Sequence, residues 1–445
     1  MGRPSLSRAL SVWANGLRVG IWRIPNRGDM DLHYDDAWRR SDRGRPLSLS
    51  LPFGADTSPL KGAAVRNYFD NLLPDSAQIR KRLAGRFRTG SADAFDLLAA
   101  IGRDCVGAVQ LLPEDGQPER VDRSEGTPLS EEDVARHLQG MLAPPAPGQG
   151  ADDEFRISIA GAQEKSALLW HGGQWLLPHG ATPTTHILKL PLGLVGNRKA
   201  DLATSVENEW LCMQLLQALG RAAANPEIRD FAGQRVLSVQ RFDRQLHSSG
   251  TWIMRLPQED FCQVNGLPPS LKYEAEGGPG LPQLAHMLAN SQRSRQDIAT
   301  LLKAQILFWM FAATDGHAKN FSIQLLARGR YQLTPLYDVM STWPIVGDAA
   351  NPLSWHKAKL AMAVSGKNRH YLLKDIRRRH FNAMALKCGY GQSAEPLIEE
   401  ILGRVPGAVA EVGGKLPTGF PQRVADTILA GLQGSAKQLA AMPPH

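Results

Sequence analysis

The sequence lacks the features that place a protein in or across a membrane, and it is poor in cysteine. No continuous apolar run follows the N-terminus, so we expect no secretory signal. A largely apolar stretch at residues 304–313 is too short to span a bilayer. The four cysteines lie too far apart for a CxxC-type metal signature, and four in 445 residues form no disulfide framework. We therefore expect a cytoplasmic protein that does not enter a membrane.

The sequence also lacks the usual glycine-rich phosphate motifs. Residues 155–170 hold a loop of small residues around Gly161, but neither the GxxxxGK[ST] of a Walker loop nor the GxGxxG of a protein-kinase glycine loop. The charge favours an anionic partner, because 51 basic against 43 acidic residues give a net charge of +8 and a pI near 9.4. ATP and nucleic acid are the obvious candidates.

The composition changes along the chain indicate its division into parts. Residues 10–14 and 17–22 form two β-type runs around Asn15-Gly16, a strong hairpin signal. The remaining elements predicted in the first third are strands at 29–34 and 47–52 and helices near 63–73, 75–84 and 92–101. Stretches rich in proline, glycine and polar residues follow. The predicted parts are a β-rich N-terminal module (1–113), a linker with one short helix (114–152), a small β-rich lobe (153–257) and a helical lobe (258–445).

The most informative segment is TDGHAKNF at residues 314–321, directly after the apolar stretch. It places Asp315 and Asn320 five residues apart, the spacing with which a phosphoryl-transfer site orients a hydroxyl and binds magnesium. Gly316 allows a sharp turn there. Taken alone, the segment is equally compatible with a helix that ends in an exposed Asp-Gly turn.

Other segments place compatible residues in kinase order. Lys189 lies in an apolar strand, where a buried ammonium group needs an anion, although a lysine of an edge strand whose charged end reaches water is equally compatible. The next predicted helix offers Glu207 or Glu209 as its partner. Residues 257–262 lie where a bilobal kinase changes lobes. A short β run then delivers Asp338, which lies 18 residues after Asn320 and suits a second metal ligand.

Five strings in this order resemble the motifs of the HipA toxin kinases. They are SIAGAQEK (158–165), TPTTHILKLP (182–191), LPQED (256–260), TDGHAKNFS (314–322) and LYD (336–338). The HRD and DFG triplets of ordinary protein kinases are replaced by Ala313-Thr314-Asp315 and Leu336-Tyr337-Asp338, as suits this family. The resemblance implies an α+β, bilobal protein-kinase-like fold with an extra N-terminal module and an all-helical C-terminal lobe.

The resemblance also implies an ATP- and magnesium-dependent serine/threonine-protein kinase, the toxin of a toxin–antitoxin pair. Asp315 would orient the substrate hydroxyl, and Asn320 and Asp338 would bind Mg²⁺. The residues that would contact ATP are Ala160, Gly161, Ala162, Gln163, Glu164, Lys165, Lys189, Glu259, Phe261, His317, Lys319 and Tyr337. By resemblance, the protein substrate is an aminoacyl-tRNA synthetase such as glutamyl-tRNA synthetase.

Two regulatory features follow from the same resemblance. Ser158 corresponds to the serine that family members autophosphorylate, which places negative charge beside the ATP phosphates and inactivates the kinase. The expected partner is a helix-turn-helix antitoxin of the HipB type, with which the chain would act as a co-repressor on operator DNA. Arg377, Arg378, Arg379 and Lys387 could contact the phosphate backbone in that complex, although a solvated helix face explains them equally well.

Two other functions compete with a protein kinase. A catalytically silent co-repressor would only bridge antitoxin dimers on DNA, but it has no need of Lys189, Asp315, Asn320 and Asp338 together. A small-molecule phosphotransferase shares the Asp-x4-Asn logic. The N-terminal module and the long phosphate-loop string disfavour that reading.

Overall fold

The N-terminal part is a five-stranded antiparallel sheet covered by helices. The computed structural model describes residues 8–142, 159–160, 163–195, 200–346 and 354–444. The first elements are β1 (Arg8–Ala14), β2 (Leu17–Ile24), β3 (Asp31–Tyr34), α1 (Asp36–Arg40), β4 (Leu60–Lys61), α2 (Ala63–Asp70), α3 (Ala77–Phe87), α4 (Ala94–Ile101) and β5 (Val109–Pro113). The sheet order is β4-β3-β2-β1-β5. Asn15 and Gly16 form the predicted β1–β2 turn with φ of 48° and 80°, and Trp22 stacks on Phe69 at 4.0 Å in the core.

One predicted strand in this module is wrong. Residues 47–52 form turns and bends, not a strand. Their polar groups are used across the junction with the helical lobe, where the Leu49 amide donates to Glu259 Oε1 at 2.9 Å and Ser50 Oγ donates to the Gln263 carbonyl at 2.7 Å. Leu47 and Leu51 are buried in the core of the module, and Leu49 packs against the core of the helical lobe, so the apolar sequence pattern reflects packing without strand pairing.

A six-stranded antiparallel sheet forms the small lobe. Its region holds β6 (Gly126–Leu129), α5 (Glu131–Leu142), β7 (Lys165–His171), β8 (Gln174–Pro178), β9 (His186–Lys189), β10 (Gly193–Val195), β11 (Ala200–Leu202), α6 (Ser205–Ala218), β12 (Pro226–Phe231), β13 (Gln234–Gln240), β14 (Arg244–Leu246) and β15 (Ile253–Arg255). The sheet order is β12-β13-β9-β7-β8-β6. The short helix predicted within 114–152 is α5, but the same segment also contributes β6, which pairs with β8. Residues 126–142 thus pack as part of this lobe.

A buried ionic cluster joins the N-terminal module to the small lobe. Asp104 Oδ1 lies 3.0 Å from Arg244 Nη2 and 3.0 Å from Arg255 Nε, and Asp243 Oδ2 lies 2.8 Å from Arg241 Nη2. All five side chains are buried. Burial raises the pKa of Asp104, but the three guanidinium charges outweigh it and hold this pKa well below its usual range. Charges this deeply buried persist only when paired.

The C-terminal lobe is mainly helical. It contains β16 (Gln258–Asp260), α7 (Phe261–Val264), α8 (Leu281–Leu288), α9 (Ser294–Met310), β17 (Ser322–Leu325), β18 (Tyr331–Leu333), β19 (Lys359–Ser365), β20 (Arg369–Leu372), α10 (Arg378–Lys387), α11 (Glu395–Gly413) and α12 (Gln422–Ala441). The lobe was expected to be all helical, yet β16, β17 and β18 form a small sheet and β19 and β20 a hairpin. All four cysteines are buried and unpaired.

The apolar stretch before the predicted catalytic loop is buried on all sides, as its composition indicates. It forms the last turns of α9, and the chain then turns at Ala312, whose φ is 49°. Gly316 is needed for a different reason from the predicted sharp turn, because a Cβ there would lie 2.4 Å from two ring carbons of Phe308. No helix in the described ranges is long and apolar enough to cross a membrane.

Candidate active site

A cavity of about 630 Å³ lies between the small sheet and the helical lobe. This volume falls in the range of cofactor and small-molecule sites. Its lining includes Ala160, Gln163, Lys165, Lys189, Glu209, Asp315, His317, Lys319, Asn320, Tyr337 and Asp338. Most of the residues singled out from the sequence therefore share one cleft, although they come from five separate segments. The N-terminal module also lines it, through Asn71, Leu72, Asp75 and Val106.

Lys189 stands at the centre of a buried charge cluster. Its ammonium donates to both carboxylate oxygens of Glu209, at 2.7 and 2.9 Å, and to Asp338 Oδ1 at 2.6 Å. The partner in α6 is thus Glu209, whereas Glu207 pairs with Arg235 at 2.5 Å. Burial lowers the pKa of Lys189, but the two carboxylates outweigh this effect and raise it. The Lys189 charge is therefore fixed at neutral pH.

Asp338 occupies a strained position beside this lysine. Its φ of 59° is left-handed, which is uncommon for a residue other than glycine and costs free energy that the surroundings must supply. Burial raises the pKa of Asp338, but Lys189 and Lys165 outweigh it and hold the pKa well below its usual range. A strained, permanently ionised carboxylate that faces the cleft is suited to binding a cation.

The loop after α9 brings Asp315 and Asn320 together. Asn320 Nδ2 donates to the Asp315 carbonyl at 3.0 Å and, more weakly, to the Asp338 carbonyl at 3.4 Å. This directs the amide oxygen away from those carbonyls and joins the two loops. Asp315 Oδ1 accepts a 2.6 Å hydrogen bond from the Tyr273 hydroxyl, a contact that the sequence did not suggest.

His317, Lys319 and Tyr337 have structural partners inside the cleft. His317 packs edge-on against Tyr273 at 5.0 Å, and its burial lowers its pKa, so the ring is neutral at neutral pH. The Tyr337 hydroxyl donates to the Lys319 carbonyl at 2.8 Å. Lys319 donates to Asp75 Oδ1 at 2.8 Å, so its ammonium is bound to a carboxylate where the sequence had suggested an ATP phosphate.

The predicted phosphate loop is described only in part. Ser158, Gly161 and Ala162 lie outside the described residues, while Ala160 and Gln163 line the cleft. Lys165 pairs across β7 and β9 with Lys189, and burial, partly offset by Asp338, lowers its pKa to about 8. Two ammonium groups thus face the cleft together, a favourable arrangement for phosphates. Glu164 forms an ion pair with Arg82 of the N-terminal module.

The segment between the lobes places two predicted residues away from the cleft. Gln258 and Asp260 line it, whereas Glu259 faces the N-terminal module, where it accepts from the Leu49 amide. Side chains of a strand alternate between its faces, so the residue between two cleft residues points away from the cleft. Phe261 is fully buried in the core of the helical lobe. The side chains of Glu259 and Phe261, which were expected to contact ATP, therefore lie away from the cleft.

The residues present fit a magnesium ion. The cleft offers a carboxylate at Asp338 and an amide oxygen at Asn320, both hard oxygen ligands of the kind that Mg²⁺ takes together with substrate phosphates and water. Among the described residues, no group of three or more His, Cys, Asp or Glu is arranged to hold a metal by itself. Phosphate oxygens would therefore complete the coordination.

The basic segment near α10 provides fewer free charges than its sequence suggests. Arg378 is buried and pairs with Glu395 and Glu399, so its guanidinium is unavailable for DNA. Arg377 is half-buried and donates to the carbonyls of Lys374 and Ile376. Arg379 and Lys387 are exposed.

Comparisons with known proteins agree over nearly the whole chain. A family model described as the HipA N-terminal domain matches residues 10–112, and one described as the HipA-like C-terminal domain matches residues 157–409. The putative kinase Y4mE of Sinorhizobium fredii is 37% identical over 339 residues, which cover 75% of this chain and 77% of that protein. The serine/threonine-protein kinase toxin HipA of Shewanella oneidensis is 27% identical over 407 residues, covering 87% of this chain and 84% of that one.

A solved structure also resembles this chain in its fold. A chain in the solved complex of Shewanella oneidensis HipA, HipB and operator DNA superimposes with a TM-score of 0.78 at 23% identity, and 97% of each chain is covered. This likeness confirms the predicted α+β, bilobal kinase-like architecture. Together with the two family matches and the relatives named as kinases, it leads to one conclusion: the chain belongs to the HipA family and is a protein kinase.

Proposed function

We propose that the chain transfers the γ-phosphoryl group of ATP to a serine or threonine hydroxyl of a protein. The observation that carries this proposal is the convergence of Asp315, Asn320, Asp338 and the Lys189–Glu209 pair on one cleft. Phosphoryl transfer asks mainly for positioning and for charge stabilisation, and each of these residues suits one of the two tasks.

The roles follow from the contacts. Asp315 keeps one carboxylate oxygen on Tyr273 and has the second to orient an acceptor hydroxyl and finally take its proton. Lys189, fixed by Glu209, and Lys165 present positive charge to the phosphates. Asn320 and Asp338 would hold Mg²⁺, which when bound neutralises phosphate charge. Ala160 and Gln163 line the phosphate side, and His317 and Tyr337 line the pocket wall.

The partners and the substrate are proposed from the relatives. The Shewanella oneidensis structure contains HipA together with HipB and operator DNA. By analogy, this chain binds a HipB-type antitoxin and acts with it as a co-repressor. In that complex, the exposed basic residues Arg379 and Lys387 would contact the DNA phosphate backbone. The proposed protein substrate is an aminoacyl-tRNA synthetase such as glutamyl-tRNA synthetase, and autophosphorylation of Ser158 inactivates the kinase.

The test is to incubate the purified chain with Mg²⁺ and labelled ATP, beside an Asp315→Ala variant, and to map the label by mass spectrometry. We expect label on Ser158 of the wild type and none on the variant. ATP binding without any protein label would favour a small-molecule phosphotransferase. Absence of both label and ATP binding would refute the proposal and leave the silent co-repressor.

A further inference from the structure

The N-terminal module sends one carboxylate into the cleft of the kinase. Asp75 follows α2 and precedes α3, and its side chain is only 12% exposed. Asp75 Oδ1 accepts from Lys319 Nζ at 2.8 Å, and Oδ2 accepts from Lys272 Nζ at 2.8 Å. Each oxygen of one carboxylate thus holds a different lysine, and both lysines belong to the helical lobe.

These two lysines flank the proposed catalytic residues. Lys319 immediately precedes Asn320 in the loop that begins at Asp315. Lys272 immediately precedes Tyr273, whose hydroxyl donates to Asp315 Oδ1 at 2.6 Å. The ion pair of Asp75 with Lys319 therefore adjoins the proposed metal ligand Asn320. The ion pair with Lys272 adjoins Tyr273, which contacts the carboxylate that orients the hydroxyl.

Hydrogen bonds to the helical lobe fix the segment that carries Asp75. Asn67 Nδ2 donates to the Gly266 carbonyl at 2.7 Å, and Asn71 Nδ2 donates to the Leu267 carbonyl at 2.8 Å. Asn67 lies in α2 and Asn71 directly follows its last residue, eight and four residues before Asp75. The main chain that carries Asp75 is therefore bound to the segment that leads to Lys272.

The two lysines depend on the charge of Asp75 for compensation. Two ammonium groups share one carboxylate, and the only other acid near Lys319 in the described ion pairs is Asp260, at 4.0 Å. Burial raises the pKa of Asp75, but Lys319 and Lys272 outweigh it and lower this pKa to about 2. Without the carboxylate charge, the two lysines would repel each other, and each could move only by displacing the residue next to it.

We propose that Asp75 is a positioning residue: it sets the relative placement of Asp315 and Asn320 by binding Lys272 and Lys319 at once. This inference rests on the proposed phosphoryl transfer and adds a role to the N-terminal module, which completes the active site of the kinase. Asp75 touches neither of the proposed catalytic residues, so it acts through the two lysines.

The test compares Asp75→Asn with Asp70→Asn in the full chain. Asp70 lies in the same module, pairs with Arg80 and does not line the cleft, so it is a matched control. ATP affinity is measured by calorimetry with Mg²⁺, and turnover by ADP release and label incorporated into the chain. A displacement of about 1 Å at such a site costs on the order of 100-fold in rate. We expect Asp75→Asn to lose about 10- to 100-fold in turnover with ATP affinity within about threefold, and Asp70→Asn to match the wild type.

Further variants separate positioning from simple loss of structure. Tyr273→Phe removes only the hydroxyl that contacts Asp315, and it should also lower turnover while ATP affinity is kept. It therefore tests the connection from Lys272 to Asp315 if Asp75→Asn does not fold. Adding Asp75→Asn to Lys319→Met should cause less loss than the product of the two single effects, because one contact is removed twice.

Each failure has its own signature. A wild type that forms neither ADP nor labelled protein would refute the proposed function itself. An active wild type with a folded Asp75→Asn variant of unchanged turnover would refute the role of Asp75 alone. Equal losses in Asp75→Asn and Asp70→Asn would also refute it, since they would show only that the module must be intact.

Discussion

Replacing Lys189 with methionine tests the buried charge cluster most directly. Methionine keeps much of the lysine volume but removes the ammonium that separates Glu209 from Asp338. The side chains of Lys189, Glu209 and Asp338 are 8%, 3% and 31% exposed, so water reaches only the last of them well. Two carboxylates would then face each other without the cation that holds them.

The expected cost is large. Removing one partner from a buried ion pair costs about 3–5 kcal/mol, because the remaining charge stays buried without compensation. The Lys189 contacts also hold the pKa of Asp338 below its usual range. Asp338 therefore contributes stability that is present above its unfolded pKa and is lost as the pH falls. In the wild type most of this contribution is still present at pH 4, because the unfolded pKa is near 3.8. In the Lys189→Met variant the buried Glu209 and Asp338 carboxylates have lost their cation, so protonation near pH 4 relieves part of the penalty, and the deficit should be greatest near pH 7 and smaller near pH 4.

Urea unfolding, followed by the fluorescence of the ten tryptophans, measures this cost at both pH values without nucleotide. The control is the double variant Lys189→Met/Glu209→Leu, which removes the carboxylate buried more deeply and should recover part of the loss. A loss below about 1 kcal/mol, or one that is equal at both pH values, would contradict a buried cation. The variant should also bind ATP more weakly, which calorimetry would show.

Two further predictions concern Glu259 and Gly316. Burial raises the pKa of Glu259 from 4.5 to about 8, so its stabilising contribution is complete below pH 4.5 and is lost as the pH rises towards 8. Glu259→Gln should therefore gain stability over the wild type across this window, by up to about 1.4 kcal/mol per pH unit in urea unfolding; a pH-independent difference would contradict this. Gly316→Ala should lose about 1–3 kcal/mol and most of the activity, because its Cβ would meet the buried Phe308 ring. Gly403→Ala, with open space at its Cβ, should lose nothing, and equal thermal stability of the two variants would count against the clash.

Much of the fold was accessible from local patterns. The Asn15-Gly16 hairpin and the buried helix before Asp315 follow from residue alternation and from apolar composition, which act over a few neighbouring residues. The strand predicted at residues 47–52 failed because its apolar side chains pack into the cores of two parts of the chain without strand pairing, and the Leu49 amide donates to Glu259, some 210 residues later. The strand β6 was missed because its pairing with β8 is supplied from far along the chain.

Only the tertiary structure could decide which of two acidic residues, close together in the sequence, faces the cleft. Glu207 and Glu209 are equivalent acids in sequence, but two residues on a helix point about 200° apart, so only one can face Lys189. The strand β16 makes the same kind of choice, because alternation sends Asp260 to the cleft and Glu259 to the N-terminal module. In each case the sequence predicted the segment, and the packing direction selected the residue.

The sequence by itself determined which proposed catalytic groups are present and in what order, because Asp315, Asn320 and Asp338 lie in short segments whose spacing is set locally. The tertiary structure alone decided what holds them. Asp75 contacts Lys319 in the loop after Asp315, which lies 244 residues later in the chain. Tyr273 contacts Asp315 itself, which lies 42 residues later, and no local sequence pattern indicates either contact. The Asp75 contact exists because the N-terminal module docks against the helical lobe and brings buried charges into compensation, whereas the Tyr273 contact exists because two segments of the helical lobe pack together.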